Sequence, residues 1–425
     1  MAGQVKLSTG FPRRLWVAGV VLASLGPDGS PPAALAAGGT TPMAFEAVVS
    51  GSINQWFEGR PSAPPRQDSA LARAARGNSA RAAGGALPHP ADLRFELRRA
   101  SCPDADVLPF VSVAATPEAA ALAVEDFLER ESRSLKTMTH LGVGAHTERS
   151  ADGKRRTAVT VILVRRMVTL DSVPDEVPLN DDLRVSGSIA RGFAHPRLLF
   201  TAPDGLVHET PLLVATAHAA EGQVGSPSAL MATPTRFEAT VPLRGRAGEY
   251  RVEVLVDGAR GPTVAALFSV HAGTTAPRFP VHKVYPTPTE PETESLAQAR
   301  ALALINEARA RHHLSPLRAH AELHSAARAH AEDMLERGWF GHISPRGEGP
   351  LDRVAKTGVV VARVLENVSI APNVTRAHAD LMDSPGHRAN ILDPTMTHIG
   401  IGVVRGVDAA RGVVYVSQAF ARLAE

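Results

Sequence analysis

The chain has 425 residues, with 45 Lys and Arg against 43 Asp and Glu, and one cysteine. This length predicts two to four domains, and 44% hydrophobic with 21% charged residues is ordinary for folded protein. The near-neutral charge argues against a nucleic-acid binder, which needs a concentrated basic surface. The single cysteine, Cys102, excludes an intrachain disulfide framework and an all-cysteine metal site.

The first 36 residues have the three parts of an export signal. Basic residues precede an apolar run over residues 15–25, and the small residues Ala34 and Ala36 suit a signal peptidase. The apolar run is too short to span about 30 Å of hydrocarbon as a helix. We therefore expect residues 1–36 to be a signal peptide of a secreted or periplasmic protein, without a further transmembrane segment. The alternatives are an uncut anchor or a disordered leader.

The next segments differ in composition. Residues 58–92 are rich in Pro, Ala, Arg, Gly and Ser without apolar periodicity, which predicts a loop-like or poorly ordered stretch. Thr116 then caps a predicted helix through Phe127. An extended pair follows at 141–146 and 157–168.

Residues 175–272 consist of short alternating runs between turn signals. Strands are predicted at 183–189, 197–201, 236–241, 249–256 and 264–270. This spacing favours an antiparallel β-sandwich of immunoglobulin-like type, whose charged residues face solvent. Residues 273–293 form a Pro-rich linker, expected to act as a semi-rigid spacer.

The last domain spans residues 294–425 and begins with helical patterns. Ser295 and Gln298 predict a capping box. A second helix places Leu323, Ala327, His330 and Met334 on one face, with Gly338 as a left-handed C-terminal cap. A third helix is predicted at 375–382, followed by strands at 399–404 and 413–420.

Five motifs of this domain, in this order, resemble the CAP superfamily of cysteine-rich secretory proteins, antigen 5 and pathogenesis-related 1, in its bacterial secreted branch. They are FGH at 340–342 with SP at 344–345, EN at 366–367, SPGHRANIL at 384–392, HIGIG at 398–402 and VSQAF at 416–420. The resemblance implies an α-β-α sandwich with a groove over the sheet. His342 and Glu366 match the first His and the first Glu that line this groove in the family, and His387 matches the His of the bacterial branch's own motif.

The sequence also departs from the family pattern. The second Glu of the eukaryotic tetrad falls on Ser384, and its second His falls on Tyr415. A complete tetrad is therefore absent. The predicted ligand groove consists of His342, Glu366, His387, Ser384 and Tyr415.

An internal near-repeat links the two halves of the chain. Residues 137–145 read TMTHLGVGA, and residues 395–403 read TMTHIGIGV. We expect residues 42–170 to be a degenerate CAP-like α+β unit, in which Leu108 lies opposite Glu366 and Glu129 opposite His387. The alternative is a chance match between two glycine-containing strands. The expected fold class is therefore a multidomain α+β protein.

The two imidazoles and the carboxylate allow three kinds of chemistry. His342, Glu366 and His387 could bind zinc with water in the open position, His342 and Glu366 could act as base and acid, or the groups could serve as hydrogen-bonded scaffolding. No H-E-x-x-H motif is present, and the Ser-Pro pairs at 344 and 384 are more typical of turns than of nucleophiles. His330, His140 and His398 are expected to be structural.

Two functions follow from these expectations. The favoured one is an exported protein that binds a lipid, a peptide or a cell-envelope fragment in its groove, with the β-sandwich as a spacer or interaction module. The alternative is an extracellular hydrolase that depends on His342 and Glu366, with or without zinc. The sequence leaves open whether the protein is an enzyme.

Overall fold

A computed structural model describes residues 19–22, 41–85, 89–149, 155–215, 235–281, 293–406 and 413–424. Most of the predicted signal peptide and the greater part of the Pro-rich linker lie outside these ranges. The chain divides into two compact units. The first comprises residues 1–102, 106–165 and 279–282, and the second comprises residues 103–105, 166–278 and 283–425.

The first unit is a mixed sheet with helices. Its strands are β1 Gly19–Leu22, β2 Arg66–Gln67, β3 Val107–Ala114, β4 His140–Arg149 and β5 Arg155–Val164. Its helices are α1 Pro42–Phe57, α2 Ser69–Ala83, α3 Pro90–Arg99, α4 Pro117–Arg130 and α5 Ser132–Leu135. The sheet order is β1-β3-β5-β4-β2. The three central strands pair antiparallel, whereas the edge strand β1 is parallel to β3 and the edge strand β2 is parallel to β4. Thr116 caps α4, as predicted.

Helix α2 contradicts the prediction of a loop over residues 58–92. Asp68 starts the helix by accepting hydrogen bonds from the N–H groups of Ala70 and Leu71 at 2.8 and 3.0 Å. The helix lies so close to β4 that a Cβ added at Gly142 would be 2.3 Å from the Leu71 backbone. Contact this close favours small residues, so the helix lacks the large apolar stripe that periodicity detects.

The second unit begins with a β-sandwich. Its strands are β6 Val168–Leu170, β7 Glu176–Val177, β8 Asp182–Ile189, β9 Ala194–Thr201, β10 Val207–Thr210, β11 Leu212–Ala215, β12 Arg236–Pro242, β13 Gly248–Gly258 and β14 Gly261–Ala272. They form two sheets, of order β10-β9-β13-β14-β7 and β11-β12-β8-β6. Val185, Phe237 and Val252 belong to the single core between them. All five strands predicted here are confirmed.

The C-terminal domain is a helix–sheet–helix sandwich. Its helices are α6 Glu294–Arg311, α7 Ala321–Arg337, α8 Pro350–Ala355, α9 Val374–Asp383 and α10 Pro385–Ile391. Its strands are β15 Arg318–Ala319, β16 Val361–Ala371, β17 His398–Arg405 and β18 Val414–Leu423, in the order β15-β17-β18-β16. Helices α6 and α9 share a core with one face of the sheet, and α7 packs on the other face.

The ends of the first two helices of this domain test the capping predictions. Gly338 is in the left-handed region, with φ of 63°, and caps α7 as predicted. The capping box at Ser295 is wrong, because α6 begins earlier. Its cap is Thr293, whose side chain accepts a hydrogen bond from the Leu296 N–H at 3.2 Å. No helix in the described ranges is both long and apolar enough to cross a membrane.

The β-sandwich contacts the C-terminal domain directly. Strands β9, β10 and β13 pack against α10. Arg251 forms a 2.6 Å ion pair with Asp383, and Arg388 Nε donates to the carbonyl oxygen of Gly205 at 2.9 Å. These contacts contradict the expectation that the sandwich holds the C-terminal domain at a distance as a spacer.

The sheet of the C-terminal domain shares its strand order with part of the first unit. Strands β2-β4-β5-β3 follow the same order as β15-β17-β18-β16. A Cβ added at Gly400 of β17 would be 2.0 Å from the Leu323 backbone of α7. The same addition at Gly142 of β4 would be 2.3 Å from the Leu71 backbone of α2. The strand entries also agree, since the hydroxyls of Thr139 and Thr397 both lie 2.9 Å from the Nδ1 of the following histidine.

Candidate functional site

The carboxylate of Glu366 is the centre of the candidate site. It projects from β16 with its side chain only 3% exposed. Its Oε1 lies 2.9 Å from His342 Nδ1. Its Oε2 lies 3.0 Å from His330 Nδ1 and 2.7 Å from Arg353 Nη2. Both carboxylate oxygens are therefore bound to protein donors.

These partners keep Glu366 ionised. Burial alone would raise the pKa of its carboxyl group, but the charges and hydrogen bonds of His330 and His342 outweigh burial and hold that pKa well below its usual range. An ionised carboxylate can only accept hydrogen bonds, so the Nδ1 of His342 carries a proton. In the neutral imidazole, the Nε2 of His342 then has a lone pair that can accept a proton or a ligand N–H or O–H.

The loop that presents His342 is fixed at several points. After the Gly338 cap, the Trp339 ring lies 5.4 Å from the His330 ring. The His330 Nε2 lies 3.1 Å from the carbonyl oxygen of Gly341. The backbone N–H of His342 donates to the carbonyl oxygen of Arg260, in the β13–β14 turn, at 2.9 Å. His342 is thus held by contacts on both sides of its loop.

Arg353 of α8 connects the loop to the carboxylate. Besides Glu366, its Nη2 donates to the carbonyl oxygen of His342 at 2.9 Å, and its Nη1 donates to that of Glu348 at 2.9 Å. One guanidinium therefore fixes both members of the His342–Glu366 pair. Its side chain is 10% exposed, so its charge is partly removed from water and depends on Glu366 for compensation.

A second cluster lies at the start of α10. The hydroxyl oxygen of Ser384 is 2.7 Å from His387 Nδ1 and 2.5 Å from Glu253 Oε2. Glu253, from β13 of the sandwich, also accepts from the Gly386 N–H at 3.0 Å. Burial lowers the pKa of His387 well below its usual range, and His342 adds to this effect. His387 is therefore neutral near pH 7.

An amide network joins α10 to β16. Asn390 Nδ2 donates to the Glu366 carbonyl oxygen at 3.2 Å and to Asn367 Oδ1 at 2.9 Å. Asn367 Nδ2 donates to the His387 carbonyl oxygen at 3.1 Å and to Gln418 Oε1 at 3.2 Å. Two motifs that are separate in sequence thus form one hydrogen-bonded patch.

The predicted groove residues are brought together only in part. His342 contacts Glu366, and His387 contacts Ser384. Tyr415 is 2% exposed and pairs with Ile370 on β16, so at about 3.3 Å per residue it lies roughly 13 Å along the strands from Glu366. The structure therefore does not bring Tyr415 to this site.

The geometry does not favour the zinc site proposed for His342, Glu366 and His387. Within the part of the chain that the structure describes, no group of three or more His, Cys, Asp or Glu side chains is arranged to hold a metal ion. Glu366 uses both oxygens on protein donors, which leaves it poorly placed as a third ligand. A fit to zinc would rest on the two imidazoles alone.

Neither serine near the site is arranged as a nucleophile. The Ser344 hydroxyl oxygen accepts from the N–H groups of Arg346 and Glu348, both at 3.2 Å, which is a turn role. Ser384 lies between a carboxylate and an imidazole. In a serine nucleophile triad, the imidazole instead lies between the serine and the carboxylate.

Sequence patterns do not reveal the roles of three residues at this site. His330 is a fully satisfied core histidine, as predicted, but one of its partners is Glu366. Arg353 carried no pattern that would single it out. Glu253 was assigned to a solvated face because β13 alternates, yet it is fully buried, since the opposing surface comes from the C-terminal domain.

The family comparison covers most of the C-terminal domain. Residues 302–420 match the model of the cysteine-rich secretory protein family, CAP. This segment of the chain belongs to the CAP family.

Two curated relatives come from Bacillus subtilis strain 168. The chain is 32% identical over 133 residues to the protein YkwD, and 31% identical over 115 residues to the membrane protein YlbC. These matches cover 31% and 26% of this chain. They span 52% of YkwD and 33% of YlbC, so the chain corresponds to about half of the first relative and a third of the second.

Solved structures of similar proteins include two from other bacteria. An extracellular protein containing an SCP domain from Bacillus anthracis is 19% identical, with 42% of this chain and 65% of that chain covered and a TM-score of 0.28. A cysteine-rich secretory protein from Staphylococcus aureus is 15% identical, with 60% and 87% covered and a TM-score of 0.25.

Proposed function

We propose that this is an exported protein whose C-terminal groove binds a lipid, a peptide or a cell-envelope fragment through His342 and His387. The observation that carries this proposal is that both carboxylate oxygens of Glu366 accept hydrogen bonds from protein groups. Its protein partners occupy both oxygens, so it orients His342 rather than contacting a ligand itself. The Nε2 of His342 is then the polar group available for recognition, and neither neighbouring serine is set up for covalent catalysis.

A hydrolase remains the second candidate because of one contact. The 2.9 Å bond from His342 Nδ1 to Glu366 is the arrangement in which a carboxylate orients an imidazole as a general base. Such a base would activate a water molecule against a bound ester or amide. The reaction would then need no protein nucleophile.

We also propose export of the protein, an immunoglobulin-like type for the sandwich and a CAP-like origin for the first unit. The apolar run before residue 36 supports export through a signal peptide. The two-sheet core supports an immunoglobulin-like sandwich over about residues 175–272. The common strand order and the glycine-lined helix contacts support residues 42–170 as a degenerate CAP-like unit. In this proposal, the pairing of β3 with β5 makes Pro109, next to the expected Leu108, the counterpart of Glu366, and the unit would lack the carboxylate.

A binding assay with the full-length protein tests the groove. Wild type, His342→Ala and the control His146→Ala, at an exposed histidine of β4, are incubated with anionic lipid vesicles, peptidoglycan fragments and a mixed peptide library. We expect wild type and His146→Ala to bind one of these ligands and His342→Ala to bind it at least tenfold more weakly. Equal binding by His342→Ala, or no binding by wild type, would overturn the proposal.

The same samples distinguish the second candidate. Mass spectrometry of the incubated ligand follows its cleavage over time. Turnover by wild type that is lost in His342→Ala and kept in His146→Ala would favour the hydrolase. An intact ligand that stays bound favours the binding protein.

A further inference from the structure

Strand β13 of the sandwich has two different faces. Tyr250, Val252 and Val254 point into the core between the two sheets. Arg251 and Glu253 alternate with them and point toward the C-terminal domain, where Arg251 pairs with Asp383. Glu253 has no exposed surface at all. A carboxylate removed so completely from water requires specific partners, and those partners are in the other domain.

The partners of Glu253 belong to the cluster around His387. Its Oε2 lies 2.5 Å from the Ser384 hydroxyl oxygen, and its Oε1 accepts from the Gly386 N–H at 3.0 Å. A Cβ added at Gly386 would be 2.7 Å from Oε1, so a glycine permits this close approach. The Ser384 hydroxyl is in turn 2.7 Å from His387 Nδ1. Glu253, Ser384 and His387 thus form a continuous hydrogen-bonded chain.

The other end of the same hairpin holds the second histidine. The carbonyl oxygen of Arg260, at the β13–β14 turn, accepts from the N–H groups of His342 and Ile343 at 2.9 and 3.1 Å. A Cβ added at Gly261, which has φ of 86°, would be 3.1 Å from the Cβ of His342. One hairpin of the sandwich therefore contacts both segments that carry the groove histidines.

We propose that the β13–β14 hairpin of the sandwich completes the groove of the C-terminal domain, with Glu253 as a positioning residue that sets the tautomer of His387 through Ser384. The sandwich would then be part of the binding site. The ligand-binding consequence rests on the proposed function, whereas the effect on His387 does not.

The direction of the hydrogen bonds follows from the donors available. An ionised Glu253 only accepts, and the Ser384 hydroxyl has one hydrogen, which it donates to Glu253. The remaining contact at Ser384 must then be donated by His387 Nδ1. This leaves Nε2 of His387 as an acceptor. An amide at position 253 would donate to the Ser384 hydroxyl and reverse the direction of these hydrogen bonds. His387 Nδ1 would then accept, and His387 Nε2 would carry the hydrogen.

Nitrogen NMR of the full-length protein measures this directly. Proteins labelled with ¹⁵N-histidine are compared as wild type, Glu253→Gln and the control Glu238→Gln, and the His387 signals are assigned with His387→Gln. Glu238 forms an exposed ion pair with Arg184 on the sandwich, away from Ser384. Because burial raises the pKa of Glu253 to about 7, spectra are recorded at pH 8.5, where its carboxyl group is ionised.

We expect a proton on Nδ1 of His387 in wild type and Glu238→Gln, and on Nε2 in Glu253→Gln. A wild-type proton on Nε2, or an unchanged tautomer in Glu253→Gln, would overturn the proposal. If Glu253→Gln does not fold, the serine gives the answer. Ser384→Thr keeps the hydroxyl and should retain the wild-type tautomer, whereas Ser384→Ala should give a mixture of both. A wild-type tautomer in Ser384→Ala would also overturn it.

A ligand readout separates this inference from the proposed function. Given a ligand of wild type, Glu253→Gln should bind it at least tenfold more weakly, with Glu238→Gln unchanged. Equal binding by Glu253→Gln together with an unchanged tautomer refutes the role of Glu253 and leaves the groove function standing. Absence of any ligand for wild type refutes the groove function, while the NMR result still decides the role of Glu253.

Discussion

Replacing Glu366 by glutamine should strongly destabilise the C-terminal domain. The substitution keeps the shape of the side chain but removes its charge. His330 and Arg353, whose side chains are 1% and 10% exposed, would then face a neutral amide. The amide also places an NH₂ group where the structure needs an acceptor. The substitution therefore removes an ion pair and also leaves a buried donor unsatisfied.

The expected size follows from this burial. Removing one partner of a buried pair costs about 3–5 kcal/mol of unfolding free energy. For a folding unit of this size, that corresponds to a fall in Tm of roughly 10 °C, at about 3 °C per kcal/mol. Glu332→Gln is the matched control. Glu332 pairs with Arg328 at 2.9 Å on the exposed face of α7, so its loss should cost less than about 0.5 kcal/mol.

A local probe makes the measurement specific to this domain. Trp339 lies beside His330, so its fluorescence reports unfolding at the site. In a chain carrying Trp16→Phe and Trp56→Phe, urea titrations followed at Trp339 give the unfolding free energy of each variant. A difference below 1 kcal/mol between Glu366→Gln and Glu332→Gln would refute the argument that Glu366 compensates the buried charge of Arg353.

The same pair of variants has a pH signature. The pKa of Glu366 in the folded protein lies below the 4.5 of an ordinary glutamate, so the unfolded chain takes up this proton first as the pH falls. The stability contributed by the carboxylate is therefore complete above about pH 4.5 and declines in more acidic solution. The difference between wild type and Glu366→Gln should shrink between pH 5 and pH 3. A constant difference would contradict the assignment.

Three further substitutions, the first with Gly51→Ala as its control, test packing and capping by urea denaturation. Gly142→Ala should cost about 3 kcal/mol because its Cβ would overlap the α2 backbone, whereas Gly51→Ala, with nothing within 4 Å, should be neutral or stabilising by up to about 1 kcal/mol. Equal effects would contradict the close contact. Arg309→Met should cost at least about 3 kcal/mol, since this guanidinium is 1% exposed and donates to four backbone carbonyl oxygens; a neutral effect would show that those carbonyls find other donors. Gly338→Ala should cost about 1 kcal/mol for the left-handed cap, and no loss would mean that α7 ends differently.

Local patterns predicted the elements whose signals are local. The sequence predicts helix α7 because large apolar residues recur on one face and Gly338 ends the helix. The sandwich strands were readable because each alternates between turn signals. Strand β16 was missed around Leu365, Glu366 and Asn367, since most of its second half is buried on both faces and therefore does not alternate.

The missing parts of the site are those that depend on tertiary contact. Glu366 and the motif at 384–392 can be named from the sequence. The hydrogen bonds from Asn390 to Glu366 and Asn367, however, join a helix to a strand more than 20 residues away. Glu253 is more distant still, at 131 residues from Ser384. Alternation correctly assigned Glu253 to the outer face of its sheet. It could not show that another domain covers that face.

The two glycine-lined helix contacts also bear on how the chain reaches its native state. Helices α2 and α7 both dock on strands whose glycines admit a close helix backbone, and the entries to those strands, TMTHLGVGA and TMTHIGIGV, are similar in sequence. During synthesis, α2 and β4 emerge well before β17, which favours the correct pairing by order of appearance. Refolding from denaturant removes this order. We therefore expect mispaired helices as a kinetic trap in refolding of the whole chain, visible as a slow phase that chains lacking one of the two units do not show.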